Sequence, residues 1–296
     1  MSEIRQKAAF VSIIGKPNAG KSTLLNSLIN QKLAITNPKV QTTRHRIKAI
    51  VNQDNTQLVF SDTPGIIDPN YKLQEEMMNA VKDSIEDADI VIVLVDVQEP
   101  YLTDEVLSLL KESEAKKILV LNKADLSDQE HLAKTLEKLQ NQIEADDSII
   151  ASALHKFNVN ELLSKLIALS PEHPPYYPEH QFTDKPTRFF VAEFIREKIL
   201  THYQKEIPYS VEVVVDSYKE EKNITKISAI IYVERDSQKV ILIGKNGLGL
   251  KRIGTEARRD IERFIDDKVF LKIFVKVKKK WRNDERLLKS FGYKNN

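Results

Sequence analysis

Residues Gly15–Ser22 read GKPNAGKS, the spacing G-x-x-x-x-G-K-S. The apolar, β-rich run Ala8–Ile14 leads into this loop. Lys21–Asn30 follows as a helix, with Leu24, Leu25 and Leu28 on one face. Strand, glycine loop and helix together describe a phosphate-binding loop, in which backbone N–H groups and a helix N-terminus cradle an anion. The loop runs Gly15, Lys16, Pro17, Asn18, Ala19, Gly20, Lys21, Ser22 and Thr23. Within it Lys21 is expected to reach the β and γ phosphates, and the Ser22 hydroxyl to bind Mg²⁺.

Further buried-strand runs follow at Leu58–Ser61, Ile90–Asp96 and Lys117–Leu121, with helical patterns near 72–87, 103–114 and 128–143. This alternation predicts a mostly parallel α/β sheet with helices on both faces, whose ligands bind beyond the carboxyl ends of the strands. Each remaining motif lies at such an end. After Ser61 comes Asp62-Thr63-Pro64-Gly65: the Asp62 carboxylate can hold the Mg²⁺ shell through water, and the Gly65 N–H can bond a γ-phosphate. A plain Pro-Gly turn is the competing use of this segment. After Leu121 comes Asn122-Lys123-Ala124-Asp125. A carboxylate at Asp125 can accept the N1–H and N2 hydrogens that guanine offers and adenine lacks, while the Lys123 stem lies along the base. Ser152-Ala153-Leu154 can add the Ala153 N–H to guanine O6; such dipeptides are common. The polar segment 36–47, TNPKVQTTRHRI, can place a hydroxyl on Mg²⁺ when the γ-phosphate is present, with Thr43 the choice and Thr42 its rival.

The residue after Gly65 is Ile66, so no glutamine stands there to orient an attacking water, and slow intrinsic hydrolysis is expected. Lys21, Thr43 and Gly65 are left to carry the chemistry. Asn18 has two readings. It suits a tight loop, and its amide oxygen can hold a potassium ion beside the phosphates, supplying the charge of an arginine finger.

The chain of 296 residues is 41% hydrophobic and 30% charged, ordinary for a folded protein, and suggests two domains. It has no cysteine, which excludes disulfides and thiolate metal sites and fits a reducing cytoplasm. None of the six histidines pairs at metal-ligand spacing. No segment is long and apolar enough to span a membrane. Residues 1–181 hold 19 Lys and Arg against 26 Asp and Glu, a balance of −7; residues 182–296 hold 26 against 17, a balance of +9. That asymmetry points to a polyanionic partner for the second half. Five of the eleven prolines fall between 171 and 186. The expected division is therefore a nucleotide domain over 1–169, a stiff linker over 170–187, a second domain over 188–277 and a basic tail over 278–296.

Four of the eight glycines cluster at 244, 247, 249 and 254. Gly244-Lys245-Asn246-Gly247 before a basic amphipathic helix resembles the loop that clamps about four single-stranded nucleotides. Lys251, Arg252 and Arg258 extend the basic surface, as do Lys278, Lys279, Lys280, Trp281 and Arg282. That last run mixes charge with an aromatic ring. By propensity Lys239–Ile243 reads as a strand, and Gly249 inside the following helix suggests a loose first turn.

Taken in order, GKPNAGKS, QTTRHR, DTPG, NKAD and SAL, then IGKNG–LKRIGTEARRDIE and WRNDERLLKSFGY, resemble the Era family of bacterial GTPases over nearly the whole chain. The resemblance implies a Ras-like, six-stranded P-loop domain followed by a type II KH domain of the α-β-β-α-α-β type. It implies GTP and GDP with Mg²⁺ as ligands, and RNA near the 3′ end of 16S ribosomal RNA as partner. The role implied is maturation of the small (30S) ribosomal subunit. A cytoplasmic monomer is expected, with loose association at the inner membrane face implied by the resemblance alone. No acid–base pair or metal cluster stands in 182–296 to support a second, RNA-modifying centre.

Overall fold

The computed structural model describes residues 6–293, which form two units: 6–69 with 74–184, and 70–73 with 185–293. Residues 1–5 and 294–296, the ends of the expected first domain and tail, lie outside the described residues.

The first unit is built on a six-stranded sheet. Its strands are β1 (Lys7–Ile14), β2 (Ile47–Gln53), β3 (Thr56–Asp62), β4 (Ile90–Asp96), β5 (Lys116–Asn122) and β6 (Asp147–Ile150), ordered β2-β3-β1-β4-β5-β6. All neighbours are parallel except the β2–β3 hairpin, which turns at Asp54 with φ 51°. Helices α1 (Lys21–Leu28), α2 (Lys72–Glu86), α3 (Asp104–Glu112), α4 (Gln129–Ile143) and α5 (Val159–Leu169) cover the two faces. Val81, Ile85, Val106, Leu110, Leu132 and Leu139 of α2, α3 and α4 pack with Val91, Val93, Leu119 and Leu121. β4 and β5 are buried on both faces, which is why they read as continuous apolar runs. After β1 the chain goes first to one side, to β3, and then to the other, to β4. The crevice at the end of β1, where the direction reverses, is where such sheets bind ligands.

The proline-rich segment expected to be a linker is held against the edge of this sheet. Tyr176 and Tyr177 donate their N–H groups to Gln57 Oε1 at 2.8 and 2.9 Å. Ile50 N–H donates to Phe182 O at 2.9 Å, and Thr183 Oγ1 to Lys48 O at 2.7 Å. The last two bonds occupy backbone groups that the edge strand β2 would otherwise expose.

The second unit runs α6 (Thr187–His202), α7 (Ile207–Ser210), β7 (Glu212–Glu221), β8 (Ile224–Val233), α8 (Asp236–Ile243), α9 (Leu248–Ile265), β9 (Val269–Val277) and α10 (Glu285–Ser290). Its sheet is ordered β7-β8-β9, with β7–β8 antiparallel and β8–β9 parallel. Phe190, Phe194, Ile195 and Ile199 of α6, with Ile253, Ala257 and Ile261 of α9, bury the helical side of its core.

Two expectations change here. Lys239–Ile243 is the second half of a helix, as the α-β-β-α-α-β order implied by the resemblance requires and against its strand propensity. Gln238 Oε1 caps the start of α8 by accepting the N–H groups of Glu234 and Arg235 at 2.9 and 3.0 Å. Gln238 and Leu242, four apart, are its buried residues, while Val240 and Ile241 are exposed. That burial has the helical period and overrides β propensity. The expected basic tail also folds. Trp281 is 0% exposed, its Nε1 donates to Ser210 O at 3.0 Å, and its ring meets Phe291 edge-on at 5.7 Å. The segment 281–290 therefore belongs to the domain's structure.

Candidate functional site

An open cleft of about 600 Å³ lies at the carboxyl ends of β1, β3 and β5. It is lined by Pro17, Asn18, Gly20, Lys21, Ser22 and Thr23, by residues 35–43, by Gly65, by Asn122, Lys123 and Asp125, and by Ser152–Leu154. Every motif singled out in the first half of the sequence contributes to this cleft, although Gly15, Lys16, Ala19, Asp62, Thr63 and Pro64 sit behind its surface.

At one end, three oxygens from three distant segments converge. Ser22 Oγ donates to Asp62 Oδ2 at 2.7 Å and lies 2.8 Å from Thr43 Oγ1, which donates to the same carboxylate oxygen at 3.2 Å. Thr42 is turned elsewhere: its hydroxyl donates to the carbonyls of Lys39 and Asn37, at 2.5 and 3.2 Å. The structure thus separates two threonines that the sequence leaves as rivals. Two hydroxyls and a carboxylate form the all-oxygen set a hard cation such as Mg²⁺ takes, so the donors fit that ion.

Beside this cluster, Lys21 is buried and donates to Gly15 O and Lys16 O at 2.9 and 2.8 Å. Burial pushes its pKa down to about 8, partly offset by the Asp62 charge. Gly65 touches the loop so closely that a Cβ would stand 2.8 Å from Pro17 N and Cα; no side chain fits. Thr63 is buried and its hydroxyl donates to Ile13 O at 2.7 Å, a structural use. Ile66 is buried among the residues of the α2–α3–α4 face, so the position after Gly65 packs the core.

The opposite end carries the base-reading motif. Ser152 Oγ donates to Asp125 Oδ1 at 2.5 Å, and this bond holds the carboxyl below the usual carboxylate range. His155 Nε2 lies 3.6 Å from Asp125 Oδ2. Asn122 ties the site together, with Nδ2 donating to Ala19 O at 2.8 Å and Oδ1 accepting the Ala153 N–H at 3.0 Å. The Ala153 N–H expected on guanine O6 is therefore already engaged by Asn122, and a base oxygen would have to share it. Leu154 is exposed beside it.

Sequence reasoning missed the support behind the loop. Lys16 Nζ reaches Glu99 at 2.5 Å and sits 3.6 Å from the centre of the Tyr101 ring, while Lys123 Nζ reaches Asp96 Oδ2 at 2.5 Å. The turn after β4 thus braces both the phosphate loop and the base motif. Asp96 ends an apolar strand, a signal that could have marked it. Glu99, Tyr101 and His155 carry no pattern in the sequence. Asn18 has φ 65°, a left-handed conformation that asparagine tolerates, which satisfies the tight-loop reading of its identity.

In the second unit, Gly244 (φ 71°) and Gly247 (φ 77°) bracket a single tight turn between α8 and α9, with Asn246 also left-handed at φ 52°. Gly247 N–H donates to Gly244 O at 3.1 Å. Gly249 does not loosen the helix that follows. A Cβ there would lie 2.6 Å from the Tyr203 hydroxyl and 2.9 Å from Leu242 O, so the glycine permits close packing of α9 on α8. Lys245, Lys251 and Arg252 are exposed at the turn and the start of α9, together with the apolar side chains of Val240 and Leu248, and Arg258 is exposed further along α9. Lys278, Lys279 and Lys280 are exposed as well. Trp281 is not available to a ligand, being buried in the core. Arg282 is half-buried, with its Nε donating to Glu234 Oε2 at 3.0 Å.

Comparison with known proteins separates the two halves. A family model described as a 50S ribosome-binding GTPase matches residues 10–123, and one described as a KH domain matches 206–282. A relative from Clostridium kluyveri described as GTPase Era is 44% identical over 97% of this chain and 99% of its own length. This chain belongs to the Era family of GTPases. Another Era, from Geotalea uraniireducens, is 45% identical over 99% of this chain and 100% of its own. A solved Era in complex with MgGDPNP and nucleotides 1506–1542 of 16S ribosomal RNA matches with a TM-score of 0.93. It is 33% identical to this Era-family chain, over 98% of it and 100% of the solved chain. A variant of Aquifex aeolicus Era bound to GDP and AlF4⁻ matches equally well, at 33% identity and a TM-score of 0.93 over the same shares. Both relatives align along both units of this Era-family chain, so the order of a GTPase domain and a KH domain is common to all of them.

Proposed function

We propose that the cleft of the first unit binds and hydrolyses GTP, and that the bound nucleotide sets the affinity of the second unit for the 3′ end of 16S ribosomal RNA during small-subunit maturation. The observation that carries this reading is the Ser22–Thr43–Asp62 cluster. It joins the phosphate loop, the polar segment 36–47 and the end of β3 at one point. Ser22 and Thr43 would hold Mg²⁺ directly and Asp62 through water. The ion supplies neutralising charge for the β and γ phosphates. Lys21 adds an ammonium, the loop N–H groups bind oxygens, and the Gly65 N–H bonds the γ-phosphate. Loss of that phosphate removes the reason for Thr43 to stay at the cluster and releases segment 36–47. Asp125, oriented by Ser152, selects guanine.

The side chain after Gly65 is the buried, apolar Ile66, which cannot orient water, so hydrolysis is slow unless an ion or partner supplies charge. Asn18, which lines the cleft, would offer its amide oxygen to potassium. Turnover is then higher in potassium than in sodium, and Asn18→Ala removes the difference; equal rates in both salts would overturn that part.

In the second unit the Gly244–Gly247 turn clamps the RNA backbone, with Lys245, Lys251, Arg252, Arg258 and Lys278–Lys280 meeting phosphates. The protein works as a monomer in the cytoplasm, where ribosomal subunits mature. No helix among the described residues is long and apolar enough to cross a membrane, so any association with the inner membrane face is made by a surface. The test is RNA crosslinking in cells, wild type against Gly244→Asp. A discrete footprint at the 3′ end of 16S RNA in the wild type, lost in the variant, is expected. An unchanged footprint moves the RNA site elsewhere.

A further inference from the structure

The sheet of the second unit has two faces, and the helices cover one. On β9, Val269, Leu271, Ile273 and Val275 turn toward them; Ile273 Cδ1 lies 3.5 Å from where a Cβ on Gly254 of α9 would stand. The alternate residues Phe270, Lys272, Phe274 and Lys276 face the other way. Phe270 is 55% exposed and Phe274 42% exposed. In register across β8 lie Lys226 opposite Phe270, Ser228 opposite Lys272, Ile230 opposite Phe274 and Tyr232 opposite Lys276. Phe291 covers the Tyr232 end, with ring centres 5.5 Å apart, and leaves the Phe270–Phe274 end open. Lys272 Nζ stands 5.0 Å from the centre of the Phe274 ring. On the same face Lys226 pairs with Glu221 at 2.7 Å.

Two exposed phenylalanines on a rigid strand leave apolar surface in water that a packed core would bury. Their spacing of four residues puts them about 13 Å apart, and lysines alternate with them. A protein-docking surface of this size would deplete lysine at its centre. Lysines along β9 also discourage pairing of a second chain onto this edge strand. Aromatic rings for bases with interleaved cations for phosphates are what single-stranded nucleic acid requires.

We propose that this open sheet face is a second RNA-binding surface, on which unpaired bases stack against Phe270 and Phe274 while Lys272 and Lys276 hold the intervening phosphates. It rests on the reading of the second unit as an RNA-binding domain and deepens it. The Gly244–Gly247 turn clamps about four nucleotides, and a longer strand passing the β9 edge meets this face.

The test uses the full-length protein and a labelled RNA with the sequence of nucleotides 1506–1542 of 16S ribosomal RNA, measured by fluorescence anisotropy. Phe270→Leu with Phe274→Leu keeps apolar bulk and removes the rings. It is expected to weaken binding about fivefold or more for each stacked base, whereas Phe270→Trp with Phe274→Trp binds at least as well as wild type. Lys272→Glu with Lys276→Glu is expected to weaken binding and to lower the salt slope by about 2. Full affinity in the leucine pair, with loss in Gly244→Asp, overturns the second surface and leaves the glycine-loop reading standing. Equal loss in the leucine and tryptophan pairs overturns stacking. Absence of RNA binding by the wild type overturns both readings.

Discussion

Lys21 makes a prediction that links the phosphate loop to a measurable proton. Its ammonium is buried against the carbonyls of Gly15 and Lys16, and burial lowers its pKa to about 8, well below the ordinary lysine value. About half of these side chains are therefore neutral at pH 8 in the free protein, and about a tenth at pH 7. A nucleotide diphosphate brought to the loop adds negative charge beside Lys21 and raises the pKa again. Binding of GDP should then take up about half a proton per molecule at pH 8 and about a tenth at pH 7, where phosphate with a second pKa near 6 is itself largely ionised. Calorimetry in two buffers of different ionisation enthalpy reads this number directly, and Lys21→Met should abolish it. The same shift affects stability. The folded-state pKa lies below the unfolded one, so the unfolded chain binds more protons between pH 8 and 10.5. Stability of the nucleotide-free protein should rise with pH across that window. The lowered pKa caps this destabilisation at about 3 kcal/mol, fully present below pH 8 and relieved as the pH rises. No proton uptake at pH 8, or net release, would refute the argument that this lysine is held partly neutral to await an anion.

Two further predictions follow from Trp281, which the structure moves into the core, and from the two threonines it separates. Trp281→Ala should destabilise the second unit by about 3–5 kcal/mol through the cavity it leaves. A further cost of about 1–3 kcal/mol comes from orphaning the Ser210 carbonyl, and Trp281→Phe should show mainly this second cost; urea unfolding followed by far-UV circular dichroism measures both, and unchanged stability with weaker RNA binding would restore the exposed-ring reading. Thr43→Ala should lower the Mg²⁺ dependence of GTP-analogue affinity, while Thr42→Ala, whose hydroxyl serves the backbone of its own loop, should leave it near wild type; titration of Mg²⁺ against binding of a labelled analogue separates them, and the reverse order would move the ligand to Thr42.

Much of the nucleotide cleft was legible because its chemistry is local. A glycine-rich loop after an apolar run, an aspartate at a strand end and Asn-Lys-x-Asp at another each carry their meaning within a few residues. The α/β alternation was equally plain, since the centres of β4 and β5, Ile90–Val95 and Ile118–Leu121, are unbroken apolar runs. What stayed hidden depends on contacts between distant segments. The pairing of Lys16 with Glu99 spans 83 positions and that of Lys123 with Asp96 spans 27; the position of Asp96 at a strand end marks that residue, but nothing in the pattern names either partner. The short edge strand β2 is bonded at Lys48 and Ile50 to Thr183 and Phe182 of the proline-rich segment, more than 130 positions later. Lys239–Ile243 shows propensity losing to a capped helix start and helical burial. Trp281 shows that an aromatic among lysines need not be a stacking ring, because burial is decided by the core it meets.

The central claim is that Asp125, steadied by Ser152, makes the cleft select guanine. Direct competition of GDP and ADP for the purified protein, followed by calorimetry with Mg²⁺ present, tests it. The account predicts a preference for GDP of about 10⁴ or more, and comparable affinities for the two nucleotides would contradict it.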